Sequence, residues 1–254
     1  MSVTVPPPVN AGRDTRARRL ARERLIEVLW DQRGRRRLPP QRALIDAVNA
    51  CDERDLWWVC EANSAGPLYL LPTREWLSHL SAALDELKVK SVLEVAAGDG
   101  FLSACLQRRR PDLQVTATDD FSWTKAHTRS SPQDRAEFGA TPFAGIQPLS
   151  IVQRLGAVAA VAQLCPQLVL VSWAPPGTLV ERVIRAPACE LVLDLSVAGD
   201  VCGNGMKTWR FEKEFLDGPL ETQALCRLDA RPDDGRQTQA TLYYGRAHPS
   251  FGVA

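Results

Sequence analysis

Glu94, Ala96, Gly98 and Gly100 stand at alternate positions in the stretch SVLEVAAGDGFLSACLQRRRPDLQVTATDD, which opens at Ser91 and closes on Asp119 and Asp120. Small residues at that spacing let backbone amides approach a ligand closely. A carboxylate at the end of the next apolar run can accept hydrogen bonds from both hydroxyls of a ribose. The chemistry indicated is recognition of a nucleoside. The elements that must position these groups are readable in the same stretch. Val92, Leu93 and Val95 form a short apolar strand, the glycines turn the chain, Phe101 to Arg109 make an amphipathic helix, and Val115 to Thr118 make a second strand.

The spacing separates two cofactor classes. A dinucleotide fingerprint has G-x-G-x-x-G and faces a pyrophosphate with a helix N-terminus. Here an acid sits at the strand end, before the turn, and the pattern is Glu94-x-Ala96-x-Gly98-x-Gly100. This resembles the first motif of class I S-adenosylmethionine (SAM) dependent methyltransferases, (D/E)-x-G-x-G-x-G, with Ala96 in place of the first glycine. The resemblance runs from about Ser91 to Ser196. It implies a Rossmann-like fold and SAM as cofactor. Glu94 would fix the turn or meet the methionine end, the backbone from Ala96 through Gly98 to Gly100 would line the cofactor, and Asp119, with Asp120 beside it, would hold the ribose.

A second constellation, Leu168 to Gly177 (LVLVSWAPPG), ends a fourth strand. Ligands of open α/β sheets bind beyond the carboxyl ends of the strands, so Ser172 and Trp173 are expected at the pocket. The run is similar to the family's fourth motif, (D/N/S)-P-P-(Y/F/W), but Ser172 is separated from Pro175-Pro176 and Gly177 replaces the aromatic residue. Asp194, at the end of a fifth strand, is a candidate polar contact in the active site, and His127 a candidate general base. Tyr69 or Arg74, just ahead of the first strand, would complete the cofactor site, a guanidinium there pairing with the SAM carboxylate. The three histidines and seven cysteines are scattered, without the clustering that a zinc site needs.

The remainder of the chain sets the frame. Strands near 91–95, 114–118, 143–147, 167–172 and 189–195 alternate with helices near 100–109, 150–164 and 177–185. Two strand-like runs at 222–230 and 238–246 flank Pro232-Asp233-Asp234-Gly235, a hairpin signal. The expected fold is α/β: a doubly wound, mostly parallel seven-stranded sheet ending in an antiparallel hairpin, with a helical N-terminal cap. The expected organisation is a disordered tail at 1–13, the cap at 14–88 with Leu20, Ile26, Leu29 and Trp30 as the inner stripe of its first helix, and the SAM-binding catalytic domain at 89–254.

Charge is unevenly spread. Residues 1–42 carry eleven arginines against four acids, +7, which leaves −6 for the rest of a chain whose total is +1. That arm is expected to be a solvated helix face, with nucleic-acid contact as the rival. No apolar run has the length of a membrane span and no secretory core opens the chain, so a cytoplasmic protein with a small-molecule substrate is expected. The rival readings are a non-catalytic SAM-fold binding protein, a nucleic-acid methyltransferase using the arginine arm, and an NAD-dependent oxidoreductase.

Overall fold

The computed structural model describes residues 16–61, 63, 66–122, 146–174, 177–197, 208–216, 218, 220, 225–226 and 238–252. These residues fall into two compact units. The first holds the described residues up to Arg74 with Phe121–Ser122, Ile146–Gln147 and Leu225–Cys226; the second holds the others.

In the first unit, helices α1 (Arg16–Leu29), α2 (Gln41–Asn49) and α3 (Glu53–Glu61) enclose a core. Ala21, Leu25 and Leu29 recur every four residues along α1 and are buried, Leu25 and Leu29 packing with Trp30, Leu44, Val48, Leu56 and Val59. Leu20, expected on the inner stripe, is 52% exposed instead, because it sits off the face that those residues define. Arg22 occupies that face. It is buried, and its Nη1 lies 2.9 Å from Asp55 Oδ1. Arg18 grips the same carboxylate through Nε and Nη2, at 2.9 and 3.0 Å. Although burial pushes the Asp55 carboxyl up, the two guanidiniums hold it below the ordinary aspartate value. Arg35 pairs with Asp31, while Arg36 and Arg37 donate to the carbonyls of Leu70 and Glu27. Much of the arginine arm is therefore tied into this unit's own fold. A two-residue strand, β1 (Leu70–Leu71), pairs antiparallel with β8 (Leu225–Cys226).

The second unit opens with α4 (Arg74–Glu86), which begins directly after the buried Thr73. Its sheet contains β2 (Ser91–Val95), β3 (Gln114–Asp119), β4 (Val152–Arg154), β5 (Leu168–Ser172), β6 (Leu191–Val197), β7 (Lys213–Phe215) and β9 (Thr238–Tyr244), in the spatial order β4-β3-β2-β5-β6-β9-β7. The first five of that order run parallel, and β9 and β7 run antiparallel to their neighbours. Helices α5 (Phe101–Arg109), α6 (Ala157–Leu164) and α7 (Leu179–Ile184) connect the parallel strands. This is the doubly wound, mostly parallel seven-stranded sheet with an antiparallel close that the sequence implies. Val92 to Val95 and Leu168 to Val171 are buried without alternation, as befits strands covered on both faces.

Two strands lie elsewhere than the sequence pattern suggests. The third parallel strand among the described residues is Val152–Arg154; of the expected run at 143–147, residues 143–145 lie outside the described residues and 146–147 are in no strand, and α6 begins only at Ala157. The antiparallel partner of β9 is β7, not the run at 222–230, whose described residues pair with β1 instead. Both misplaced strands are edge strands of three residues with charged side chains, a composition that edges favour and that apolar patterning misses.

Candidate functional site

The order of strands reverses at β2, whose neighbours are β3 on one side and β5 on the other. A crevice for ligands opens at such a switch point, beyond the carboxyl ends. The chain leaves β2 through a turn held in the left-handed region at three alternate residues: Ala96 at φ +51°, Gly98 at +57° and Gly100 at +73°. Glycine adopts this conformation freely, whereas an L side chain costs roughly 1 kcal/mol or more. Ala96 bears that cost at the position where the family motif has glycine. Gly100 is constrained twice over, since a Cβ there would lie 2.4 Å from Val152 Cγ2.

Carboxylates lock the turn to its surroundings. Glu94, buried on β2, accepts from the backbone N–H and the hydroxyl of Ser103 at 3.1 and 2.5 Å. Asp99 Oδ1 accepts from Phe101 N–H at 3.0 Å, and Asp119 Oδ2, buried at the end of β3, accepts from Gly98 N–H at 2.9 Å. Gly98 N–H in the turn and the Phe101 and Ser103 N–H groups of the first turn of α5, amides that would face a phosphate, are thus engaged by three protein carboxylates. The local field is negative, which suits a cationic or hydroxyl-bearing ligand and opposes a pyrophosphate. Of the two acids after β3, Asp119 is buried inside this network and Asp120 is exposed. Ser103 was not foreseen from the sequence. Its signal is a serine one helical turn into α5, within reach of an acid at the preceding strand end.

On the other side of β2, Val95 pairs with Val171, so Ser172 and Trp173 follow beside Ala96 and Ala97. Both are half-buried. Trp173 also has a left-handed backbone, φ +57°, fixed by its N–H donating to the Leu195 carbonyl at 2.8 Å.

Asp194 lies one strand further on, in β6, with Val171 and Thr241 as lateral neighbours. It is 3% exposed, and its Oδ1 has no hydrogen-bond partner. Burial raises its carboxyl to about 7, opposed by a hydrogen bond from Ser196. Tyr69 and Arg74 belong to the first unit. Burial pushes the Tyr69 phenol up, while Arg74 is exposed, its Nε donating to the Leu38 carbonyl at 3.0 Å. His127 lies outside the described residues. Among the described residues no group of three or more His, Cys, Asp or Glu side chains is arranged to hold a metal, and no helix is long and apolar enough to cross a membrane.

No protein-family model matches the chain, and no curated protein does. Among solved structures it is similar to the methyltransferase domain of bacterial CtHen1, with 13% identity, a TM-score of 0.40, and coverage of 67% of this chain and 98% of that one. It is similar to the 23S rRNA methyltransferase ErmE, with 19% identity, a TM-score of 0.39 and 72% of each chain covered. A third likeness is to a caffeoyl-CoA O-methyltransferase structure from Staphylococcus aureus, titled as putative, with 13% identity, a TM-score of 0.38, and 70% and 86% covered. Overlaps this partial carry no argument for activity. The strand order and the turn after β2 must carry it.

Proposed function

We propose that the chain is a SAM-dependent methyltransferase acting on a small-molecule O, N or C nucleophile. The observation that supports this reading is the engagement of the Phe101 and Ser103 amides of α5 and the Gly98 amide of the turn before it by Asp99, Glu94 and Asp119. A dinucleotide would set its pyrophosphate against three carboxylates, whereas SAM carries no phosphate and its sulfonium is positive. Ala96 to Gly100 would line the cofactor, Asp119 would receive the ribose hydroxyls, and Ser172 and Trp173 would border the acceptor. The sulfonium supplies an already activated methyl group. The protein's part is then to bring a nucleophile in line with it and exclude water.

A small acceptor is favoured over nucleic acid because Arg18 and Arg22 are held by Asp55 within their own unit and the chain beyond residue 42 carries −6. Calorimetric titration with SAM, its product S-adenosylhomocysteine (SAH) and NAD tests the assignment. Micromolar binding of SAM or SAH with no NAD binding is expected. Tight NAD binding without response to SAM would overturn it.

A further inference from the structure

Four carboxylates are buried among the described residues: Asp55, Glu94, Asp119 and Asp194. The first three bond to guanidiniums, to Ser103 and to Gly98. Asp194 alone of the four has an oxygen without a partner. A buried polar atom left unpaired costs about 1–3 kcal/mol, so its retention calls for a reason.

The surroundings of Asp194 are polar in an otherwise aliphatic face. By register, Asp194 shares its side of the sheet with Val171 of β5 and with Thr241 of β9; Ser196 stands two residues on and Tyr243 two residues back along β9. Thr241 and Ser196 are buried, and the Tyr243 hydroxyl donates to Thr208 Oγ1 at 3.1 Å. The same side carries Val95, Val169 and Val192 against Val161 of α6 and Val180, Val183 and Ile184 of α7. Tyr243 is the titratable group facing Asp194 from β9, Lys213 of β7 lies at the register of Tyr243, and β5, α6 and α7 present aliphatic groups. Five hydroxyl or carboxyl side chains thus form one cluster. It extends toward the carboxyl end of β6, where Ser196 lies one residue beyond the level of Ser172, at that of Trp173.

We propose, on the methyltransferase reading above, that the acceptor's nucleophile is a hydroxyl and that Asp194 receives its proton through Ser196. Two strand spacings, about 10 Å, separate the cofactor turn after β2 from Ser196 on β6, with Ser172 and Trp173 at the end of β5 between them. The acceptor oxygen bonds to the methyl carbon while the carbon–sulfur bond breaks, its electron pair passing to sulfur. The hydroxyl proton moves to Ser196 Oγ as the Ser196 proton moves to the Asp194 carboxylate. A hydroxyl fits better than an amine, whose attack on the methyl group generates an ammonium, because the cluster is otherwise neutral and enclosed by aliphatic groups, where a cation loses its hydration. Asp194 is a positioning and proton-holding residue in this scheme, and Ser196 is the group that touches substrate.

The test uses the full chain saturated with SAH and labelled with 13C at the aspartate carboxyls, the Asp194 resonance being identified by its loss in Asp194→Asn. Its titration midpoint is expected near neutrality. Ser196→Ala and addition of catechol should each move the midpoint by half a pH unit or more, and o-phenylenediamine should not. A midpoint unmoved by both changes overturns the proposal, as does a response to the diamine alone. Asp194→Asn and Ser196→Ala should bind SAH within about twofold of the parent chain. Failure of the parent chain itself to bind SAH would instead remove the methyltransferase reading on which the proposal rests.

Discussion

Asp119 and Ala96 make opposite demands on the same turn. The Asp119 carboxylate holds Gly98 N–H and, on the proposed reading, the ribose diol. Asp119→Ala should weaken SAH binding by about 1–3 kcal/mol, or roughly five- to 150-fold, because charge-assisted hydrogen bonds are lost in a buried place. Asp120→Ala, at an exposed position, should stay within about twofold. Calorimetry on both variants decides which acid carries the role; a silent Asp119→Ala would reassign it. Ala96 holds a left-handed backbone that glycine adopts without strain. Ala96→Gly relieves that strain and loosens the unfolded chain, effects of similar size and opposite sign. Urea unfolding free energies within about 0.5 kcal/mol of the parent chain are therefore expected, with SAH affinity unchanged or improved.

At the scale of elements, β2, α5, β3, β5 and the existence of the helices before them were legible, because each carries its own apolar period and its own glycine or proline punctuation. The edge strands were not. Val152-Gln153-Arg154 and Lys213-Glu214-Phe215 present no hydrophobic alternation, and only lateral pairing makes them strands. The roles of Glu94 and Asp119 in locking the turn to α5 were half legible: the spacing marked the residues, but Ser103 and the Gly98 amide as their partners depend on how the turn folds back. The polar cluster around Asp194 was hidden for a related reason. Asp194 and Ser196 belong to one strand and Thr241 and Tyr243 to another, far apart in sequence, so only the β6–β9 register joins them. The turn after β2 yields a sharp prediction. Gly100→Ala adds left-handed strain and a 2.4 Å contact on Val152, so it should cost about 2–4 kcal/mol in urea unfolding. An unchanged midpoint would show that β4 yields to the methyl group.

For the whole molecule, pH acts on the two units through carboxyls of opposite character. Asp55 is held below its ordinary value, so the stability it lends is present above the unfolded aspartate value and is lost as pH falls through its lowered one. Asp194 is raised to about 7. Its proton is bound more tightly in the folded chain, so its contribution is complete below the unfolded aspartate value of about 4 and disappears as pH rises through 7. The unit containing Asp194 should therefore lose stability between about pH 4 and pH 7, while the unit containing Asp55 loses it only in stronger acid. Asp194→Asn removes the first dependence, since an amide neither binds nor releases the proton. Each tenfold difference in proton affinity between the folded and unfolded chains is worth about 1.4 kcal/mol, so the variant should exceed the parent chain by about 2–4 kcal/mol at pH 8 and by only about 1 kcal/mol at pH 5. Urea unfolding at pH 5, 6, 7 and 8, followed through a probe in the sheet, measures the difference. Parallel stability curves for the two proteins across that range would mean that Asp194 is ionised in the folded chain at every pH. A carboxylate already charged in the resting protein would then be a ready proton acceptor, with no switch at neutrality.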